Sequence, residues 1–390
     1  MVIAQTPEVE TLEAACGYVK NHFYRQDMNG LDWEGLCETA KEKVAKLPDS
    51  LKPELKQLLA RLKTSHTGYF TPDDPNFAIL LDVYRGNPDL SEIIKKHYSD
   101  RPYLEGVGLF TKRIEGESYI DQLLAGGAAA QAGLKTGDQL ISVDGRPFHP
   151  VRSFRGKAGT AVEMTYRRTK EGDVQTVRLL VDKGAPHELF AKASEHSMRV
   201  ENIDGKRIGY IRFWSLAGEE PTALFRQAFD RYEDGMFADV DAVIADIRVQ
   251  VGGGFLPLDV IAPLGLPSRY ISRQGEGRIP APGLKGRFVL MVDHHTRSAA
   301  EMFAHLVKTK KVGTLVGETT AGAVTGGRLF PLPNGAVVYV SVSGVEYGGV
   351  ELEGVGVSPD ISVDYQLPYS EGRDPILDKA LEVARELAGD

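Results

Sequence analysis

Cysteine is scarce in this chain, with only Cys16 and Cys37 in 390 residues. That excludes a disulfide framework and a multi-cysteine metal cluster. The two thiols either pair with each other or stay free, and the sequence leaves both open. Long apolar runs are missing as well. None approaches the roughly eighteen residues that would span a bilayer, so no integral membrane segment is expected. Nor is there an excess of positive charge: 46 Lys and Arg against 54 Asp and Glu give a net charge of −8. Nucleic acid is therefore not an expected partner, and neither is an anionic membrane. There is no His-Glu-x-x-His helix, and no lysine followed by Ser or Thr closes the glycine run at Gly252–Gly254. No metal or organic cofactor is implied. The first residues, Met1 to Pro7, lack the charged and apolar regions of a signal peptide. Taken literally that gives a cytoplasmic product; if a signal peptide has been removed ahead of Ala4-Gln5, the protein is periplasmic or secreted.

What is present is the composition of an ordinary globular protein, 42% hydrophobic and 26% charged, long enough for two or three domains. Apolar residues recur at helical spacing over Glu8–Phe23, Trp33–Lys46 and Pro53–Lys63. A polar loop, Thr64-Ser65-His66-Thr67-Gly68, follows them. From about 105 the texture changes to short strands and glycine turns, including the hairpin signal Asp144-Gly145, and this continues to 183. The remainder alternates strand and helix. Strands are expected at Ile208–Trp214, Ala242–Ile247, Phe288–Val292, Thr314–Val316 and Ala336–Val342. Helices are expected at Pro221–Arg231, from Ser298, and at Pro375–Leu387. Such alternation predicts an α/β layer with mainly parallel strands. The expected domains are 1–104, 105–183 and 184–390, a multidomain α+β arrangement.

The segment Thr296-Arg297-Ser298-Ala299-Ala300-Glu301 carries the strongest chemical signal. An apolar β-rich run precedes it and an apolar helical face follows. Ser298 and Glu301 have capping-box spacing, which predicts Ser298 at the helix N-terminus with Glu301 as the acidic half of the cap. Free N–H groups and the positive end of the helix dipole there favour a developing oxyanion. A capping serine with no chemistry is the commoner outcome for such a motif, so the rest of the chain has to decide. Three glycines after Asp246-Ile247-Arg248 make either a plain loop or a backbone donor site for an oxyanion.

The second region resembles a PDZ domain. Gly106-Val107-Gly108-Leu109-Phe110 matches the loop that holds a peptide's terminal carboxylate, and Ala132 to Gly145 carries the more specific part of the likeness. Glycines let the backbone turn tightly about an anion, and a strand edge accepts a peptide by β-augmentation. Taken together, the chain is similar to the carboxy-terminal processing and tricorn-like serine proteases. The likeness rests on Asp246-x-Arg248-x-x-x-Gly252-Gly253, Ser298-Ala299-Ala300-Glu301 and Glu353-Gly354-Val355-Gly356-Val357-Ser358-Pro359-Asp360. It implies a helical N-terminal domain, a β-rich PDZ domain and a crotonase-like α/β protease core. The family usually has asparagine where Gln250 stands, and a small or hydroxyl residue at Arg297.

The resemblance also implies how the serine is activated. One branch uses a lysine in a Gly-x-x-Thr-x-Gly-Lys segment, which here reads Gly317-Glu318-Thr319-Thr320-Ala321-Gly322-Ala323. No lysine occurs between Lys311 and Lys379. The other branch takes its base from the helical domain, where Ser65-His66 stands, and completes the relay with an acid matched by Glu353. Imidazole suits the role because an ordinary pKa of about 6.5 leaves a proton-accepting form at neutral pH. His294 and His295 are rivals by proximity to Ser298, but neighbours at a strand–helix elbow usually point elsewhere. The oxyanion donors implied are Gly252 or Gly253 together with Ala299. The expected function is a serine endopeptidase acting on a peptide or unfolded protein held by the PDZ domain. A PDZ peptide-binding protein on a catalytically silent core is the alternative.

Overall fold

The computed structural model describes residues 5–218, 223, 237, 240–253, 268–272, 275–279, 287–347 and 349–389. Apart from Ala223, the helix expected at Pro221–Arg231 lies outside these residues, as does Gly254. The chain divides into two compact units, one formed by 1–104 with 322–355, the other by 105–321 with 356–390.

In the first unit the expected helices form at Pro7–His22, Trp33–Lys46 and Leu51–Ala60. Local chemistry sets their starts. Thr6 accepts a hydrogen bond from Val9 N at 3.3 Å and Asp32 accepts one from Gly35 N at 3.1 Å, each satisfying an N–H that the first turn leaves open. Cys16 on the first helix and Cys37 on the second are joined as a disulfide. Two shorter helices follow at Pro75–Val83 and Ser91–Tyr98.

The strand expected at Ala336–Val342 departs from the α/β layer. It runs as Val337–Ser343, antiparallel to Gly326–Pro331 and to Gly68–Phe70, in a separate three-stranded sheet of the first unit. Alternation places Phe330, Val338 and Val340 in the core with the first three helices. Leu329, Val337 and Tyr339 face the opposite way, into the core with the helices at 75–83 and 91–98. A strand buried on both faces is continuously apolar whether its neighbours are parallel or antiparallel, which is why the pattern alone misassigned it.

The second unit contains a six-stranded β module and a second six-stranded sheet. In the module, Leu109–Ile114 is an edge strand, paired only with Glu117–Leu123. In the other sheet the order is Arg199–Ile203, Lys206–Arg212, Ala242–Asp246, Phe288–Val292, Thr314–Gly317, Ile361–Ser362. All neighbours are parallel except the first pair. Ala242–Asp246 and Phe288–Val292 are fully buried, as central parallel strands covered on both faces must be. The helix Pro375–Leu387 lies on this sheet through Ile376, Ala380, Val383 and Ala384.

A buried ionic cluster fixes the loop after Asp246. The Arg248 guanidinium donates to Asp246 from Nε at 2.9 Å and Nη2 at 2.6 Å, and to Asp374 from Nη1 at 3.1 Å and Nη2 at 2.7 Å. Tyr210 donates to Asp246 at 2.9 Å, and Asp374 accepts from Leu377 N at 3.1 Å as the N-cap of the last helix. Burial alone would raise both carboxyl pKa values, but Arg248 outweighs it and holds both below their ordinary 3.8.

Reduction of Cys16–Cys37 closes off a constraint on a loop of 21 residues, so dithiothreitol should lower the stability of the first unit by about 3 kcal/mol in urea melts. Arg248→Met should cost about 3–5 kcal/mol at neutral pH, because it strands the buried Asp246 carboxylate and takes the same cation from Asp374, which is 32% exposed. Those carboxylates have depressed folded pKa values, so their stabilisation is complete above 3.8 and fades as pH falls below it. The gap between wild type and variant should therefore narrow below about pH 4.

Candidate active site

The first unit brings Ser65, His66 and Glu353 together. Ser65 and His66 lie in the loop between the third helix and the short strand Gly68–Phe70. His66 has φ of +41°, an unusual conformation for a side chain other than glycine. Glu353 reaches this loop from 288 positions away. Its Oε1 accepts from Ser65 N at 2.6 Å, and its Oε2 accepts from Ser65 Oγ at 2.9 Å. Oε2 also accepts from Val324 N at 2.9 Å and Thr325 N at 3.1 Å.

These bonds set the donor and acceptor roles at Ser65. An ionised carboxylate only accepts, so the single Ser65 hydroxyl proton points to Glu353. Ser65 Oγ lies 2.8 Å from His66 Nδ1, and with its proton committed it accepts there. His66 Nδ1 is thereby placed to donate to the Ser65 hydroxyl oxygen. Thr325 and Ser341 support the arrangement: Thr325 Oγ1 lies 2.9 Å from both Ser65 Oγ and Ser341 Oγ, and Ser341 donates to Ser65 O at 2.9 Å. Tyr339 packs its ring against His66, with centroids 5.4 Å apart, while its hydroxyl meets that of Tyr84 at 2.8 Å. Sequence reasoning missed Thr325, Ser341 and Tyr339. All three sit on the displaced hairpin, and no local signal marks them.

The second unit brings Ser298, Ala299, Gly252 and Gly253 together. Ser298 ends the turn after Phe288–Val292 and precedes the helix Ala299–Lys310. The capping box does not form. Ser298 has φ 55° and ψ −125° and makes no side-chain cap hydrogen bond, because an N-cap aims its hydroxyl at the helix N–H groups from extended backbone. Its Oγ lies instead 3.5 Å from Gly253 O. Glu301 is fully buried and accepts from Thr320 Oγ1, which accepts in turn from Val357 N at 2.7 Å. Glu301 thus braces the helix against a neighbouring loop. Strained backbone at a half-buried serine on a strand-to-helix turn is the form a nucleophile elbow takes.

The two glycines are required by close approach. A Cβ on Gly252 would stand 2.4 Å from Arg297 O and from Ser298 Cβ, and one on Gly253 (φ +101°) would stand 2.1 Å from Leu216 O. The loop is anchored by Gln250 N to Trp214 O at 2.8 Å and Leu216 N to Val251 O at 3.1 Å. Ala299 N–H is at the first helical position, where an α-helix leaves its donors without intrahelical partners. Arg297 folds back, donating from Nε to His295 O at 3.1 Å.

His294 and His295 are turned to the β module of this same unit. His295 Nε2 lies 2.9 Å from Asp121 Oδ2, and His294 contacts Glu318 through Nδ1 at 3.1 Å and Lys112 through Nε2 at 3.1 Å. The Glu318 contact raises the His294 pKa, whereas Asp121 ends below its ordinary value because His295 outweighs the effect of burial. Next to Asp121, Gln122 accepts from Gln250 Nε2 and donates to Arg248 O at 3.4 Å. In the Gly106–Phe110 loop, Val107 is buried and its carbonyl accepts from Ala129 N at 2.8 Å. Gly108 has φ +78°, and its carbonyl accepts from Leu124 N at 2.9 Å. Leu109 packs into the module's core, and Phe110 faces Phe190 and Trp214.

Comparison with known proteins extends this picture. A carboxyl-terminal-processing protease of Picosynechococcus sp. is 26% identical over 92% of this chain and 84% of its own length. Tricorn protease homolog 1 of Streptomyces coelicolor is 25% identical over 94% of this chain but only 34% of its own length, so the chain spans about a third of that relative. Among solved structures, the photosystem II D1 C-terminal processing protease shares the fold with a TM-score of 0.54 at 23% identity, covering 99% of this chain and 98% of that one. The fold is thus a multidomain α+β one, with a β-rich module and a core built on a mainly parallel sheet. No helix among the described residues is long and apolar enough to cross a membrane. The PDZ domain model matches residues 99–159, and the model of peptidase family S41 matches residues 207–363.

Proposed function

We propose that this protein is a serine endopeptidase of the histidine-base type, with Ser298 as nucleophile and His66 as general base. The observation that carries the reading is the relay from Glu353 through Ser65 to His66 Nδ1, at 2.9 and 2.8 Å. It leaves the base-competent lone pair on Nε2. His66 Nε2 takes the Ser298 hydroxyl proton as Oγ attacks the scissile carbonyl carbon. The oxyanion is held by N–H groups of Gly252 or Gly253 and of Ala299. Collapse breaks the C–N bond, the amine leaves with the proton from His66, and water attacks the acyl-enzyme by the reverse proton path. The imidazolium formed in each half-reaction is stabilised by Glu353 through the Ser65 hydroxyl.

The substrate we propose is an extended or unfolded peptide. Support comes from Leu109–Ile114 being an edge strand, to which a peptide adds by main-chain hydrogen bonds. The 106–110 loop would receive the peptide's carboxylate. We take 1–104, 105–183 and 184–390 as the functional domains, with 322–355 lending the acid to the base. The Cys16–Cys37 disulfide favours an oxidising compartment, periplasmic or secreted, over the cytoplasm.

The test is cleavage of casein or another unfolded protein by purified variants. Ser298→Ala and His66→Ala should each lower kcat/KM by about 10⁴-fold or more, and Glu353→Gln by about 10²–10⁴-fold. Labelling of Ser298 by an active-site serine reagent should be lost with His66→Ala. Full activity in folded Ser298→Ala would end the proposal. Activity lost in Ser298→Ala alone would remove His66 as the base. A folded wild type that neither cleaves nor labels would be a peptide-binding protein.

A further inference from the structure

We propose that Asp121, His294 and His295 form a binding site for a divalent transition cation, with Zn²⁺ the best match to two imidazoles and a carboxylate. The ligand atoms of the three side chains all lie within 4.8 Å of one another. Tetrahedral coordination with bonds of about 2.0–2.1 Å places ligand atoms about 3.4 Å apart, a contraction that side-chain rotation supplies. The three residues come from two separate segments of the second unit. Asp121 lies on the strand Glu117–Leu123 of the PDZ domain, and the histidines follow the core strand Phe288–Val292.

The surroundings are those of a metal site. The Glu318 carboxylate holds His294 Nδ1 at 3.1 Å, the carboxylate–histidine arrangement that directs the lone pair of the other nitrogen to a metal. On that other nitrogen, Nε2, sits the ammonium of the exposed Lys112 at 3.1 Å. A cation thus already occupies the lone pair the metal would take, and a flexible surface lysine is readily displaced. Asp121 and His295 side chains are 10% and 16% exposed, so two ligands are largely shielded while His294, at 43%, opens to solvent and gives the ion a way in. Two imidazoles and one carboxylate favour zinc over the hard cations, which prefer all-oxygen shells. The chain's sequence has no zinc motif because the ligands are 173 or more positions apart between Asp121 and His294.

A bound ion would clamp the PDZ strand to the loop that ends in Ser298. Calorimetric titration of the full chain with ZnCl₂ should give one saturable site, and Co²⁺ should give the visible absorption of a tetrahedral ion. Asp121→Asn and His295→Ala should each weaken binding by about 100-fold, and Glu318→Gln by about 10-fold. Lys112→Ala should tighten it. Should His295→Ala fail to fold, Asp121→Asn carries the test. Absence of a saturable site overturns the proposal, as does binding unchanged in both ligand variants. Loss on Glu318→Gln with no effect of Asp121→Asn also overturns it, since the ligands would then be Asp293, His294 and Glu318, the neighbouring group with comparable spacing.

Discussion

The Glu353 carboxylate is the point on which the hydrogen-bond network around Ser65 and His66 depends. It accepts four hydrogen bonds, from Ser65 N, Ser65 Oγ, Val324 N and Thr325 N. A partly buried carboxylate needs such donors to offset lost hydration. In gathering them it draws the loop at 65, the start of the hairpin at 324 and its own segment into one place. The Ser65 hydroxyl has one proton and donates it to the carboxylate, which leaves its oxygen to face His66 Nδ1 at 2.8 Å. Replacing Glu353 by a neutral group would release more than a charge. It would loosen the contact between Ser65 and His66.

In the second unit the governing constraint is steric. The turn at Ser298 runs so close to Gly252 that no side chain fits between them, and Ser298 adopts a backbone conformation that a simple capping serine would avoid. Strain of this kind, of order 1–3 kcal/mol per residue, persists only where surroundings over-determine it. Here they do so from two sides. Glu301, Thr320 and Val357 brace the helix, and the Asp246–Arg248–Asp374 cluster fixes the strand end from which the glycine loop departs. The charged cluster's energetic role is thus tied to the position of two backbone N–H groups several residues away.

Much of this was legible in the sequence, and the failures have physical causes. Helical periodicity located the first three helices, the helix after Ser298 and the last helix, since each buries one face and exposes the other. Parallel strands at 242–246 and 288–292 were legible because burial on both faces leaves an unbroken apolar run. The same signal misled at 337–343, where the run is equally apolar but the covering layers are helices of the first unit. Ser298 and Glu301 have capping spacing, yet spacing does not encode φ. The positive φ at Ser298 comes from the packing of Gly252 against it. Thr325 and Ser341 were invisible because a hydroxyl on a hairpin gains meaning only from what lies across from it. Asp121 and His295 meet across 174 positions, which no local pattern records.

The departure at 322–355 also decides which groups distant in sequence lie together. Ser65, His66, Thr325, Ser341 and Glu353 all belong to the unit formed by 1–104 and 322–355. Ser298, Ala299, Gly252 and Gly253 all belong to the other. Each half is therefore organised by hydrogen bonds and steric contacts internal to its own unit, before any substrate is engaged. Groups already held in place by such bonds need no reorientation as charge develops beside them.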